Sequence, residues 1–334
     1  MFLPIILLDE FGWPGFIVFA VPNVLGCAAF GYVLANTARR DMLQRQHRPA
    51  MVLFSTTAIA FHLFFMAHLA MLFTRGTSIP LVLATGLPAG VYLAGYGLSR
   101  LPAGAWVPVA VVLYAGSMLT FSVVDLGTLR DIAWSGDMTR ADLVFLAPVF
   151  VFGFLLCPYL DLTFHRALGM SRSRHTFAVF GAAFVPILLL TVAYSSGITV
   201  VVLVYITAQA VFTVAAHLRE MRSASWPRGR GPRVCLLLLP IAATGLVLVP
   251  GDDQDMYLRF LGFYGLIFPA YVLFFMATRG GTAPRRPQLI AYAAAMLAFA
   301  PLLELGFIHR ITWPAVIPIP VMLAWALLRN RVRR

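Results

Sequence analysis

Apolar stretches recur from one end of this chain to the other, near 11–34, 51–73, 79–99, 104–124, 143–164, 176–195, 197–216, 233–250, 256–277, 288–307 and 312–328. A run of about 20 such residues crosses a hydrocarbon core of about 30 Å as a helix. Backbone amides in lipid must be bonded within the chain, so each stretch is expected to be helical. A β-barrel would alternate apolar and polar residues in segments of about ten, and runs such as Val200–Ile206 and Cys235–Pro240 do not alternate. Only 11% of the residues are charged against 60% hydrophobic, where soluble domains carry roughly 25% charged residues. The fold class that follows is an all-α polytopic membrane protein of about eleven transmembrane helices, read as a single domain over 1–334 with halves near 1–170 and 171–334.

Charge gives the orientation. All 25 basic residues are arginine. Twenty of them fall in one set of alternate loops and in the C-terminal tail, among them Arg39, Arg40, Arg100, Arg219, Arg222 and Arg286. The opposite loops hold only Arg75, Arg130, Arg140, Arg259 and Arg310, together with most of the acids. The positive-inside rule then places the N-terminus outside and the C-terminus in the cytoplasm, which an odd number of spans satisfies. The net charge of +12 is therefore a membrane-orientation signal, and nucleic acid is not an expected partner. The expected location is a bacterial inner membrane, with the lipid bilayer as first partner. Cys27, Cys157 and Cys235 lie in or beside apolar segments without metal or disulfide spacing. The first residues lack the basic region and cleavage site of a signal peptide. The longest outer loop, near 125–142, is expected to carry a short interfacial helix around Leu129–Trp134. The longest inner loops are near 35–50 and 217–232, the second reading as a flexible connector.

Internal repetition is weak. The first span can be laid against 149–168, with Pro22 and Pro158 two positions apart, or against the sixth span, which runs the opposite way. The second alignment would suit a five-plus-five inverted repeat with one extra helix.

Polar groups deep in a bilayer are costly and mark sites. Pro22-Asn23-Val24-Leu25-Gly26 stands about halfway through the first span; proline removes a donor and crowds the preceding turn, so a break within 20–26 would free carbonyls for a cation. A kink packed on a neighbour is the plainer reading. His62 stands at similar depth in the second span and could relay a proton; a neutral histidine bonded in the bundle competes with that, and His68 faces another side. Asp161 and His165, four residues apart after Cys157-Pro158, would share a face on a continuing helix near the inner surface, as an inner gate or relay or merely as a charged helix end. Gln209 and Glu304 could line a path or make packing and interfacial bonds. No metalloprotease HExxH, GxSxG elbow, phosphate loop, histidine box or haem ladder occurs, so an intramembrane enzyme has no positive support.

The proline, asparagine and glycine of 22–26 resemble the helix break of LeuT-fold transporters, the amino acid–polyamine–cation superfamily that includes sodium:solute symporters. The resemblance implies that Asn23, Gly26 and the carbonyls around Val21 bind substrate and sodium. The functional expectation is a secondary transporter of a small polar solute with sodium or proton coupling and no bound cofactor. Its path would be lined by Asn23, Gly26, His62 and Gln209, with Asp161, His165 and Glu304 as gate or relay. A non-transporting sensor or assembly subunit, and an intramembrane enzyme, are the alternatives. The arginine layout makes a direct prediction: single cysteines near 40, 225 and 283 are labelled only from the cytoplasm, and those near 132 and 253 only from outside. Labelling of 225 from outside would overturn the orientation.

Overall fold

The protein is seen here as a computed structural model that describes residues 3–74, 80–123, 132–171, 173–192, 200–223, 230–249, 253–277 and 282–331. The described residues are helical or connecting segments, with no strand among them. Among the described residues seven helices are long and apolar enough to cross a membrane: Trp13–Val33, Thr37–Thr74, Ala103–Thr120, Arg140–Leu160, Val200–Arg222, Gln254–Ala277 and Arg286–Ile308. Shorter apolar helices at Val82–Leu98, Thr176–Val192, Leu238–Leu248 and Trp313–Leu328 stand at the other four places where spans are expected. Large aliphatic side chains on these helices stay uncovered, with Val112 69%, Leu119 70% and Val200 78% exposed. Such surfaces are unfavourable in water and ordinary against lipid, and the chain is an integral membrane protein on that ground.

Contacts divide the chain into two units that interleave along the sequence. The first comprises Met1–Arg48, Leu126–Ser196 and Leu258–Arg334; the second comprises Pro49–Asp125 and Gly197–Tyr257. In the second unit α4 (Pro80–Leu98) and α5 (Trp106–Val123) pack on α9 (Val200–Ser223).

The first unit is organised by α2 (Trp13–Val33), which packs on α6 (Arg140–Leu156) and on α8 (Thr176–Val192). A short helix α1 (Leu3–Phe11) precedes it. The chain turns between the two at Gly12, whose φ of 66° is a conformation L side chains rarely adopt. Pro14 follows in the first turn of α2, where its missing N–H leaves nothing unbonded. Thr139 caps α6 in a box with Asp142, each side chain taking the other's backbone N–H, and Thr312 Oγ1 donates to Asp142 Oδ1 at 2.5 Å.

Three expectations need correction. The segment 35–50 is not a loop: residues 37–48 are helical and run on into α3 (Thr37–Thr74), because Ala38 to His47 lacks glycine and proline and favours helix. The outer segment 132–139 is irregular; its Asp137 and Met138 N–H groups donate to the carbonyls of Asp9 and Glu10. The expected interfacial helix around Leu129–Trp134 falls partly outside the described residues, and Ile132–Trp134 are not helical. Most consequentially, α2 is unbroken through Pro22 and Asn23, so residues 20–26 are not unwound.

Gly26 has a different use. A Cβ built on it would lie 2.4 Å from the carbonyl oxygen of Phe154 in α6. The backbones of α2 and α6 touch there, as membrane helices do where small residues let them. Gly26→Ala should therefore destabilise the protein by about 1–3 kcal/mol through overpacking, read as a lowered midpoint of thermal unfolding in detergent. An unchanged midpoint would mean that the two helices separate without cost.

Candidate functional site

The interruption that the sequence suggests for the first span occurs in α6. Pro158 has no N–H to offer the carbonyl of Phe154, four residues back. The α-helix ends at Leu156, Cys157–Leu160 form one 3-10 turn, and Asp161 is extended. A second helix, α7 (Leu162–Met170), then starts with Asp161 as its N-cap. Asp161 Oδ1 accepts from the backbone N–H of Thr163 at 2.8 Å and from its hydroxyl at 2.7 Å. Asp161 and His165 thus do not share the face of one continuing helix; the carboxylate sits at the break and the imidazole one turn into the helix that it caps.

Aromatic packing holds the break in place. Phe30 of α2 is fully buried and meets Tyr159, Phe164, His165 and Phe177 with ring centroids 4.9–5.6 Å apart. Each such pair adds about 0.5–1.5 kcal/mol beyond the area that it buries. His165 is 1% exposed. Its Nε2 lies 2.9 Å from the carbonyl of Tyr159, which fixes that nitrogen as the donor, and Nδ1 is buried without a partner. Burial lowers the pKa of His165, against the opposing pull of the Tyr159 carbonyl and the Asp161 and Asp41 carboxylates; Arg40 pushes in the same direction as burial.

Facing the break is a helix that also departs from α geometry. After Asp253–Gly262 the chain forms a π-helical segment at Phe263–Ile267, an α turn at Phe268–Tyr271 and a second π segment at Val272–Ala277. Pro269 within it cannot donate to the carbonyl of Gly265. The Cys157 thiol donates to the carbonyl of Tyr264 at 3.4 Å, and the Tyr292 hydroxyl donates to that of Ile267 at 2.5 Å. The buried His47 Nδ1 is 3.1 Å from the Tyr271 hydroxyl. Cys157 is within electrostatic reach of Asp161, Tyr264 and Tyr292. π segments of this kind concentrate at functional sites, and here two of them face an interrupted helix.

The other predicted site residues bond as follows. Asn23 Nδ2 donates to the carbonyl of Phe19, four residues back in its own helix. His62, in the second unit, does likewise with Ala58 at 2.7 Å. Gln209, also in the second unit, bonds to Tyr205 one turn away, and Tyr205 bonds further to Ser117 of α5, a helix-to-helix packing link. His68 is buried beside Phe64. Glu304 forms a two-pronged ion pair with Arg259, Nε and Nη2 lying 2.9 and 2.6 Å from Oε1. Sequence reasoning missed a second ion pair, between Glu10 and Arg310. It missed Tyr264, Tyr271 and Tyr292 as well, which read as ordinary span aromatics. Asp161 followed by a helix-forming run is a start signal that would have placed the break.

No protein-family model, no curated protein and no solved structure matches the chain.

The buried imidazole makes a pH prediction. Above about pH 6.5 His165 is neutral in both folded and unfolded chains and contributes nothing. As pH falls below that value the unfolded chain binds a proton that the folded chain, its pKa lowered, does not. Stability is lost down to the folded pKa and is flat below it, at about 1.4 kcal/mol per unit of lowering. Glu10, raised chiefly by burial, and Asp9, raised by burial and by Asp137, act oppositely but are common to both proteins compared. The loss of unfolding midpoint between about pH 7.5 and about pH 5.5 should thus be smaller in His165→Gln than in the wild type. An equal loss would show that His165 is not held neutral.

Proposed function

We propose that the protein is a secondary transporter of a bacterial inner membrane, moving a small polar solute with proton or cation coupling, and that coupling takes place at the interrupted helix Cys157–Asp161. One observation carries this reading. Asp161 is a half-buried carboxylate at a break in a membrane helix, and among the described residues no cation lies within ion-pair distance of it. A carboxylate in such a place is expensive. Its Oδ1 is used by the helix cap; among the described residues no arginine pairs with the carboxylate, and a coupling proton or cation would neutralise it.

The buried His165, with a free Nδ1, stands one turn further on as a proton acceptor, and the tyrosine hydroxyls and helix carbonyls of the facing π-helical segments provide neutral polar groups for a solute. This reading moves coupling away from Asn23 and Gly26, whose helix is continuous. It also leaves His62 and Gln209 outside the coupling site.

A capping aspartate and a coupling aspartate are separable, because asparagine caps a helix about as well as aspartate but cannot take up a proton or hold a cation by charge. Purified protein in proteoliposomes would be assayed for uptake of amino acids, polyamines and sugars under an imposed proton or sodium gradient. Asp161→Asn should reduce gradient-driven uptake at least tenfold, with the unfolding midpoint unchanged. Wild-type uptake in the variant would remove Asp161 from the mechanism. No gradient-driven flux of any solute by the wild type would favour a sensor or assembly subunit.

A further inference from the structure

The second unit carries a feature that transport at Asp161 does not use. Between α4, α5 and α9 lies an open groove of about 520 Å³. Leu87, Leu98, Leu113, Val204 and Phe212 are among the residues that line it, and its one polar side chain is Thr207. The Thr207 hydroxyl donates to the carbonyl of Leu203 in its own helix at 2.8 Å, so the lining side chains offer an occupant no free hydrogen-bond donor. From Leu87 to Leu98 it follows eleven residues of helix, which at about 1.5 Å each is about 16 Å. That is about half of a hydrocarbon core of about 30 Å, the depth of one leaflet.

One end of this groove is strongly basic. Trp106 packs against Phe212 of the groove wall at 5.5 Å between ring centroids, and the Arg219 guanidinium lies 4.8 Å over the Trp106 ring. Arg100 and Arg222 lie 4.3 and 5.9 Å from the Tyr96 ring. Arg219 also donates to the carbonyl of Leu101, Arg222 to that of Ser99, and Arg100 to the Tyr96 hydroxyl. These bonds hold the three guanidiniums in one place without neutralising them. Among the described residues no carboxylate pairs with any of the three. Three oriented, unneutralised guanidiniums beside two amphipathic rings are suited to phosphate at the depth where headgroups lie.

We propose that this groove and its arginine rim are a binding site for an anionic phospholipid, one acyl chain lying along α4 and α9 and the headgroup phosphate held by Arg100, Arg219 and Arg222. Neither half is sufficient alone. The groove would accept any lipid tail, and the arginines would attract any phosphate; together they select a molecule with an acyl chain and a net negative headgroup, as basic pockets at the ends of membrane helices do.

The experiment uses the full-length protein purified in neutral detergent and titrated with phosphatidylglycerol, with phosphatidylcholine of the same chains, and with deacylated glycerophosphoglycerol. Binding is read by native mass spectrometry and by the unfolding midpoint. Phosphatidylglycerol should bind at least tenfold more tightly than phosphatidylcholine, raise the midpoint, and weaken with added salt. The deacylated headgroup should bind far more weakly. Each arginine near the headgroup is expected to strengthen binding about fivefold, so R100Q should lower phosphatidylglycerol affinity by that factor and R100Q/R219Q/R222Q by about 100-fold, with phosphatidylcholine, whose ammonium offsets its phosphate, less affected. Arg100 bonds only a side chain, so R100Q keeps the test open if the triple variant does not fold. Val204→Trp, which fills the groove, should weaken both lipids. Equal affinity for the two lipids, equal binding of the deacylated headgroup, or an undiminished preference in R100Q would each overturn the proposal.

Discussion

The first unit depends on one contact in which no side chain takes part. At Gly26 the backbone of α2 lies against the carbonyl of Phe154 in α6. That carbonyl is the one to which Pro158 has no N–H to give. The glycine and the proline therefore belong to one piece of geometry. Proline ends the α-helix, and the absence of a Cβ opposite lets α2 come close enough to cover the place where it ends. α2 is then positioned to send Phe30 into the aromatic cluster around Tyr159, Phe164 and His165, which holds the interrupted segment. Unbonded backbone is unfavourable by several kcal/mol where it meets lipid, and at this point α2 covers it.

Much of this was legible in the sequence, and the errors have a physical pattern. Apolar length located the spanning helices but not α1, the helical residues 37–48, the separate helix α7, or the helical residues 217–223 and 230–232, which the sequence reads as part of an inner connector. Those are read from neither hydropathy nor loop composition: α1 and α7 are too short to span, and the others are polar helix ends that continue apolar helices. The two mid-span prolines were the instructive case. Pro22 and Pro158 look alike in an apolar run, and each is followed by a residue of a type that can cap a helix, Asn23 and Asp161. Only Asp161 is used so, accepting from the N–H of Thr163, whereas the Asn23 amide donates back to Phe19 inside a continuous helix. Neither the proline nor the identity of the residue after it decides between a kink and a break.

Among the candidate polar residues, the distinction that sequence could not make was between groups bonded along one continuous helix and groups bonded about an interruption. Asn23, His62 and Gln209 bond one turn away in their own helices, and Glu304 pairs across to Arg259. Asp161 bonds forward to Thr163, and His165 bonds back to the carbonyl of Tyr159 across the 3-10 turn's end. Spacing along the sequence carries no information about which of these arrangements is taken.

The two π-helical segments between Phe263 and Ala277 have a consequence for anyone who draws this chain as a helical wheel. Each segment accommodates one residue more than an α path of the same rise, so everything after it is turned by about 100° from where a period of 3.6 residues would put it. A wheel drawn from Asp253 with constant phase therefore misplaces Phe268–Tyr271 by about a quarter of a revolution, and the second segment adds its own shift over the closing residues Val272–Ala277. The phase has to be reset at Phe263 and again at Val272 before the neighbours of Pro269 and Tyr271 can be read from the wheel.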